Sequence, residues 1–469
     1  MQFTLLTTDA LFFALLITGG VYASYAARHE HLKAPWREVS KNALAVSAAV
    51  VLATFLVIAV LDSIHFYPRL TPADEGSEKV QYGTEVISMF DRLVGPLRSQ
   101  VEKTYSAPFA ISAFSKETVE LESGRTVRDY PRLRYGGAHL SDLRERGPDV
   151  LERILGGALQ ALGYWFGAAL AITVLISRRR SSPLTRTVRG IVLGNSVFPA
   201  RALLGVTAAI AVIIGACSSL APHYHILGTD KVGIDVFYQS LKSVRTGLII
   251  GTLTTLVMLP FAIVLGVAAG YFRGWIDDVI QYLYTTLSSI PGVLLIAAAA
   301  LILEVYMVKH AEEFTSLVAR ADLRLLALCV ILGITSWTGL CRLLRGEALK
   351  LREIDFVETA RAFGVRHTTI ILRHMIPNIM HIVMISIVLD FSGLVLAEAV
   401  LSYINIGVDP SMESWGNMIN SARLELAREP VVWWSLLSAF VFMFVLVLAA
   451  NLFADAVRDA FDPRLRVIT

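Results

Sequence analysis

Residues 248–271 read LIIGTLTTLVMLPFAIVLGVAAGY, 24 residues without an Asp, Glu, Lys or Arg. As a helix rising 1.5 Å per residue, this run exceeds the ~30 Å of a bilayer's hydrocarbon core. No water is present there, so a single segment satisfies its backbone N–H and C=O groups only by coiling into a helix. Eight further apolar stretches lie at Leu11–Ala26, Ala43–Leu61, Leu159–Ile176, Ala202–Leu220, Val293–Val308, Leu325–Leu340, Ile382–Ile406 and Trp433–Leu452. The whole chain of 469 residues is 55% hydrophobic and 17% charged, with mean hydropathy +0.59. A soluble domain carries about 25% charged residues to cover its surface. The fold class is therefore all-α and polytopic, with nine expected spans.

Lys and Arg in short loops set the orientation of such a chain. Four lie at Arg28, Lys33, Arg37 and Lys41, and six at Arg178, Arg179, Arg180, Arg186, Arg189 and Arg201. Seven more occupy positions 342, 345, 350, 352, 361, 366 and 373. Nine spans put these three loops on one side, which the positive charge assigns to the cytoplasm, with the N-terminus outside and the C-terminus inside. Residues 1–10 contain no Lys or Arg, so the first span reads as an uncleaved helix rather than a secretory signal. The chain then divides into two N-terminal spans (1–65), an extracytoplasmic region (66–150), a third extra span with an Arg-rich linker (151–201) and a six-span core (202–469). Val86, Phe90, Leu93 and Leu97 recur at helical spacing and predict a partly helical cap in 66–150. The three cysteines, Cys217, Cys329 and Cys341, form no C-x-x-C pair and read as packing residues; no metal-binding set is expected.

The segment 355–377, DFVETARAFGVRHTTIILRHMIP, lies between the seventh and eighth spans. Asp355 and Glu358 have capping-box spacing, Phe356, Val357, Ala360 and Phe363 share a helical face, and Gly364 is placed to end the helix. Thr368 or Thr369 is positioned to cap a second short helix, closed by Pro377. The result is a helix–Gly–helix hairpin with an apolar face for a partner, or an amphipathic connector lying on the membrane surface.

The residues themselves resemble a family signature: E-A-A, three residues, Gly, nine residues, I-x-L-P, which marks the loop of ABC-importer permeases that docks on the ATPase. Glu358, Ala360, Gly364 and Pro377 match in register, whereas Thr359, His374 and Ile376 depart from it. Residues 225–236, HILGTDKVGIDV, resemble H-x-L-G-T-D-x-x-G-R-D-V of the second permease subunit of dipeptide, oligopeptide and nickel importers, with Ile234 in place of the usual Arg. A third set resembles A-E-A-x-L-S-F-L-G-L-G, S-W-G-x-M and L-R-D-x-x-D-P-x-L of the same branch. It runs through Ala397-Glu398-Ala399, Leu401-Ser402-Tyr403, Gly407, Ser414-Trp415-Gly416-Asn417-Met418 and Arg458 to Leu465. The resemblance implies a type I importer core of six helices in a bacterial inner membrane. Its implied partners are a second homologous permease, two ATPase subunits and an extracytoplasmic binding protein; no nucleic acid is among them. The first three spans and residues 66–150 lie outside it.

The chain has no Gly-Lys dipeptide and so no phosphate-cradling loop. ATP and Mg are expected on the partner subunits, with no catalytic residue and no cofactor here. Asp390 and Glu398 fall in or near the eighth span, where a carboxylate is costly. They are read either as pathway residues that accept an amine or cation, or as groups bonded to a neighbouring helix. Gly228, Thr229 and Asp230 are read either as part of the outer gate and binding-protein surface or as a turn. The competing reading of the whole is an ion-gradient-driven secondary transporter using Asp390 and Glu398.

Overall fold

A computed structural model describes residues 2–69, 82–83, 85–120, 126–179, 183–193, 198–310, 312 and 316–461. In chain order its helices are α1 (Thr7–Arg28), α2 (Glu30–Val39), α3 (Ala43–Asp62), α4 (Met89–Leu93), α5 (Gly95–Ser99), α6 (Arg146–Arg179), α7 (Leu184–Leu193), α8 (Ala200–Leu220) and α9 (Val236–Phe272). They continue as α10 (Trp275–Ser289), α11 (Gly292–Lys309), α12 (Leu317–Ser336), α13 (Thr338–Arg352), α14 (Asp355–Ala362), α15 (His367–Ile370), α16 (Ile376–Tyr403), α17 (Trp415–Glu425) and α18 (Trp434–Phe461). The fold is all-α and polytopic, and the strands among the described residues are short: β1 (Gln2–Thr4), β2 (His65–Tyr67), β3 (Ile87–Ser88), β4 (Glu117–Glu120) and β5 (Thr126–Asp129).

Eight helices among the described residues are long and apolar enough to span a membrane: α1, α3, α6, α8, α9, α11, the continuous stretch His367–Tyr403, and α18. The ninth expected span, Leu325–Leu340, is not among these eight. The apolar run Leu325–Leu340 straddles the end of α12 and the start of α13, and α12 carries Arg320, Asp322 and Arg324 in its first half. Asp322 is buried and accepts hydrogen bonds from the backbone N and Oγ1 of Thr8, which ties the start of α1 to α12.

The chain forms two compact units. The first comprises Met1–Thr4, Arg37–Arg245 and Glu413–Ala449. Here α6 and α8 meet at two glycines: a Cβ on Gly157 would stand 2.4 Å from the carbonyl oxygen of Gly215. Backbone can approach this closely only where side chains are absent. Antiparallel strands β1, β2 and β3 form a small sheet in the order β1-β2-β3, with Phe3 opposite Phe66 and His65 opposite Ser88. The expected helical cap is reduced to α4 and α5, broken at Val94, with Ser88 and Asp91 closing a capping box. Among its described residues the region also pairs β4 with β5 antiparallel, and it packs Leu97, Ile111 and Leu140 against Leu220, Tyr224, Ile226 and Tyr238.

The second unit comprises Leu5–Trp36, Thr246–Met412 and Ala450–Thr469. Its core runs from Met258 and Ala262 of α9 through Leu340, Cys341 and Leu344 of α13 to Ile379 and Val383 of α16. Cys329 and Cys341 are buried and Cys217 is half-buried, all three as free thiols.

Candidate functional site

The segment 355–377 folds as a hairpin in the second unit. α14 begins after Ile354, which makes no side-chain capping bond, so Asp355 stands in the first turn rather than at the cap. Its negative charge there favours the helix N-terminus without a hydrogen bond. Gly364 ends the helix at φ +73°; its N–H donates to the Arg361 carbonyl (3.0 Å) and that of Val365 to Ala360 (3.1 Å). These two bonds are the paired closure of a Schellman motif. Val357 is buried and Ala360 packs beside it, whereas Phe356 and Phe363 point out, the latter 83% exposed. The expected single apolar face is thus split between an anchoring side and an outward side. Glu358 is exposed.

The second half also differs from expectation. Neither Thr368 nor Thr369 caps α15; Arg366 precedes it without a side-chain bond. Tyr271 Oη at the end of α9 lies 2.7 Å from His367 Nδ1, and Ile370 is fully buried. Pro377 does not close the unit. The helix passes through a π turn at Ile371–Met375, where the Ile376 N–H reaches back to the Ile371 carbonyl, and continues into α16. A proline inside a helix crowds the carbonyl four residues before it, here that of Arg373, and one extra residue in the turn gives that carbonyl room. Asn378 Nδ2 donates to the His374 carbonyl (2.6 Å), giving it a side-chain partner. π turns of this kind recur at functional sites. Alongside, Arg345 of α13 grips Asp277 of α10 through two bonds of 2.6 and 2.8 Å.

In the first unit, the loop 225–236 is a turn enclosed by residues of the 99–140 region. Thr229 is fully buried; its Oγ1 donates to the Thr104 carbonyl (2.9 Å) and accepts from the Ser106 N–H (2.7 Å). Gly228 adopts φ +74° beneath Trp434, and Asp230 accepts from the N–H groups of Val232 and Ile234, both at 2.9 Å. The structure therefore places these three residues in a buried turn. Ile234, where the related motif has Arg, packs against the local apolar cluster.

Sequence reasoning missed the polar group at the centre of this junction. His225 is 1% exposed, with Nδ1 2.8 Å from Asp235 Oδ2 and Nε2 3.5 Å from Glu102 Oε1. Glu102 also accepts from the N–H groups of Arg134, Tyr135 and Gly136. Burial opposes the charged imidazole, but the hydrogen bond to Asp235 and the nearby Glu102 carboxylate outweigh it and raise His225 to about 9. Burial likewise opposes the Glu102 carboxylate, and the nearby His225 imidazole and the bonds from the three N–H groups bring it down to about 2. The histidine's stabilisation is complete below its unfolded value of 6.5 and is lost as pH rises through 9. The carboxylate's is complete above 4.5 and lost as pH falls through 2. The imidazolium is worth on the order of 3 kcal/mol. Hydrogen exchange, corrected for intrinsic rates, is expected to show residues 102–110 and 225–236 less protected at pH 9 than at pH 6. His225→Asn should abolish that difference; an unchanged pH profile in the variant would remove His225 from this role.

The two intramembrane carboxylates separate. Glu398 is 3% exposed and accepts from Ser402 Oγ (2.7 Å) on its own helix. Asp390 is half-buried on α16 and has no hydrogen bond or ion pair with any described residue. Gly407 sits where a Cβ would strike Ser402 Oγ at 1.9 Å, and Trp415 Nε1 donates to the Ser240 carbonyl (3.0 Å), so both of those motif blocks serve packing. Residues 462–465 of the last block lie outside the described residues.

Comparison with known proteins places this arrangement. Residues 262–467 match the model of the binding-protein-dependent transport system inner membrane component. The chain is 31% identical over 242 residues to a glutathione transport system permease protein of Pectobacterium atrosepticum, covering 52% of this chain and 73% of that one. It is 30% identical over 242 residues to an oligopeptide transport system permease protein of Mycobacterium tuberculosis (52% and 77%), and 28% identical over 243 to one of Haemophilus influenzae (52% and 71%). A multi-pass membrane permease is the class that the fold and these matches define. The chain belongs to the family of binding-protein-dependent transport system inner membrane components.

Proposed function

We propose that the chain forms half of the translocation pathway of an ATP-driven importer for peptides or related small solutes. A second permease completes the pathway, two ATPase subunits drive it, and an extracytoplasmic binding protein delivers the solute. The hairpin 355–377 carries this reading: its buried side is fastened to α9 and its outward side offers Phe356, Phe363 and the first turn of α14 to a docking partner. The Lys and Arg of this loop put it on the cytoplasmic side, where ATPases reside. The named relatives serve glutathione and oligopeptides, which supports the solute class. Asp390, a half-buried carboxylate without a partner among the described residues, is assigned to the pathway, where it would face a cationic group of the solute.

The test is purification of the complex through this subunit after co-expression with the neighbouring permease and ATPases. ATPase subunits should co-purify with wild type and be reduced at least about tenfold with Gly364→Val, because a β-branched residue is excluded from positive φ. Glu358→Ala should weaken the association less. A chain that transports without any associated ATPase would favour the gradient-driven reading instead.

A further inference from the structure

We propose that the linker around α7 is a binding surface for anionic phospholipid headgroups. Residues 177–201 contain six arginines and no Asp, Glu or Lys. They join two membrane-spanning helices, α6 ending at Arg179 and α8 beginning at Ala200, and α7 packs against both. Arg178 and Arg179 at the end of α6, and α7 itself, therefore lie where the apolar spans end.

The helical periodicity of α7 sets Val188 and Ile191 in one sector and Arg189 in another. Val188 is 38% exposed, and Arg178, Arg179 and Arg189 are exposed with no ion pair among the described residues. This contrasts with arginines elsewhere, for Arg345 is held by Asp277, Arg153 by Asp149 and Arg98 by Glu85. Two features decide the occupant. Unpaired guanidinium groups match phosphate, which they bind through two parallel N–H donors. An apolar sector on the same short helix, next to two spans, belongs in the acyl boundary, whereas a soluble acidic protein would leave it in water. The surface requires only that the chain lies in a membrane and is independent of the transport reading.

Relative lipid association tests it, using the full chain in phosphatidylcholine vesicles with spin-labelled phosphatidylglycerol or spin-labelled phosphatidylcholine as the probe. Wild type should select phosphatidylglycerol, more weakly in 0.5 M salt, with each exposed arginine contributing about fivefold at low salt. The triple variant Arg178→Gln, Arg179→Gln, Arg189→Gln should lose most of that selectivity, at least about tenfold. The corresponding triple Lys variant should keep it. Equal association of both probes with wild type, undiminished selectivity in the Gln variant, or a Lys variant as impaired as the Gln variant overturns the proposal. Selectivity retained in a Gln variant that instead sheds its ATPase subunits would assign the surface to a protein, which overturns it as well.

Discussion

Deletion of Leu372 is expected to abolish solute uptake by the assembled complex while ATP hydrolysis persists. The π turn at Ile371–Met375 holds one residue more than an α-helical turn, and the helix around it is otherwise continuous from His367 to Tyr403. Removing one residue lets the stretch revert to α geometry, which turns the hairpin by ~100° and draws it in by ~1.5 Å relative to α16. The hairpin cannot follow freely, because Ile370 is buried and His367 is bound to Tyr271. Either the outward pair Phe356 and Phe363 is reoriented or α16 is rotated; both break the path from docking surface to span. Uptake should fall more than tenfold. Leu372→Ala is the control: the side chain is 66% exposed, so truncation keeps the register and should leave uptake within about twofold. Uptake assayed in vesicles beside ATP turnover decides it. A deletion variant that transports like wild type would show that the π turn carries no coupling.

The hairpin also shows what was legible in the sequence. Gly364 was readable as a helix end because only glycine takes positive φ without cost, and two hydrogen bonds close there. Pro377 misled, since a proline signals a break unless the helix widens upstream to accommodate it, and no residue pattern announces that widening. Asp355 and the threonines misled similarly, as capping residues that lie one or more positions inside their helices. The apolar spans were legible from length alone, except where one hydrophobic run covered the end of α12 and the start of α13. The His225 junction was half legible: His225 and Asp235 stand in one motif, but Glu102 precedes it by more than a hundred residues, beyond the helical repeat that ends at Leu97. Long-range polar pairing leaves no local trace.

Gly233→Ala is expected to be among the most damaging single-methyl additions in the chain. Gly233 adopts φ +81°, and a Cβ there would stand 1.8 Å from the Glu102 carbonyl oxygen and 2.3 Å from its carbon. Backbone, unlike a side-chain end, cannot swing aside, so the two segments must part. Separation breaks the bond from the Glu102 N–H to the Gly233 carbonyl (2.9 Å) and loosens the carboxylate that holds His225. The cost is the left-handed strain of about 1 kcal/mol together with steric and hydrogen-bond losses, at least about 3 kcal/mol in all. Gly364→Ala isolates the first contribution. Its φ is nearly the same, but nothing lies within 4 Å of its Cβ, so only about 1 kcal/mol should be lost. Thermal unfolding and limited proteolysis of residues 99–140 in the purified full chain separate the two: Gly233→Ala should melt several degrees lower and be cut readily, Gly364→Ala should do neither. Equal stability of the two variants would mean that the junction yields without strain, and that residues 99–140 are not fastened to the 225–236 loop at Gly233.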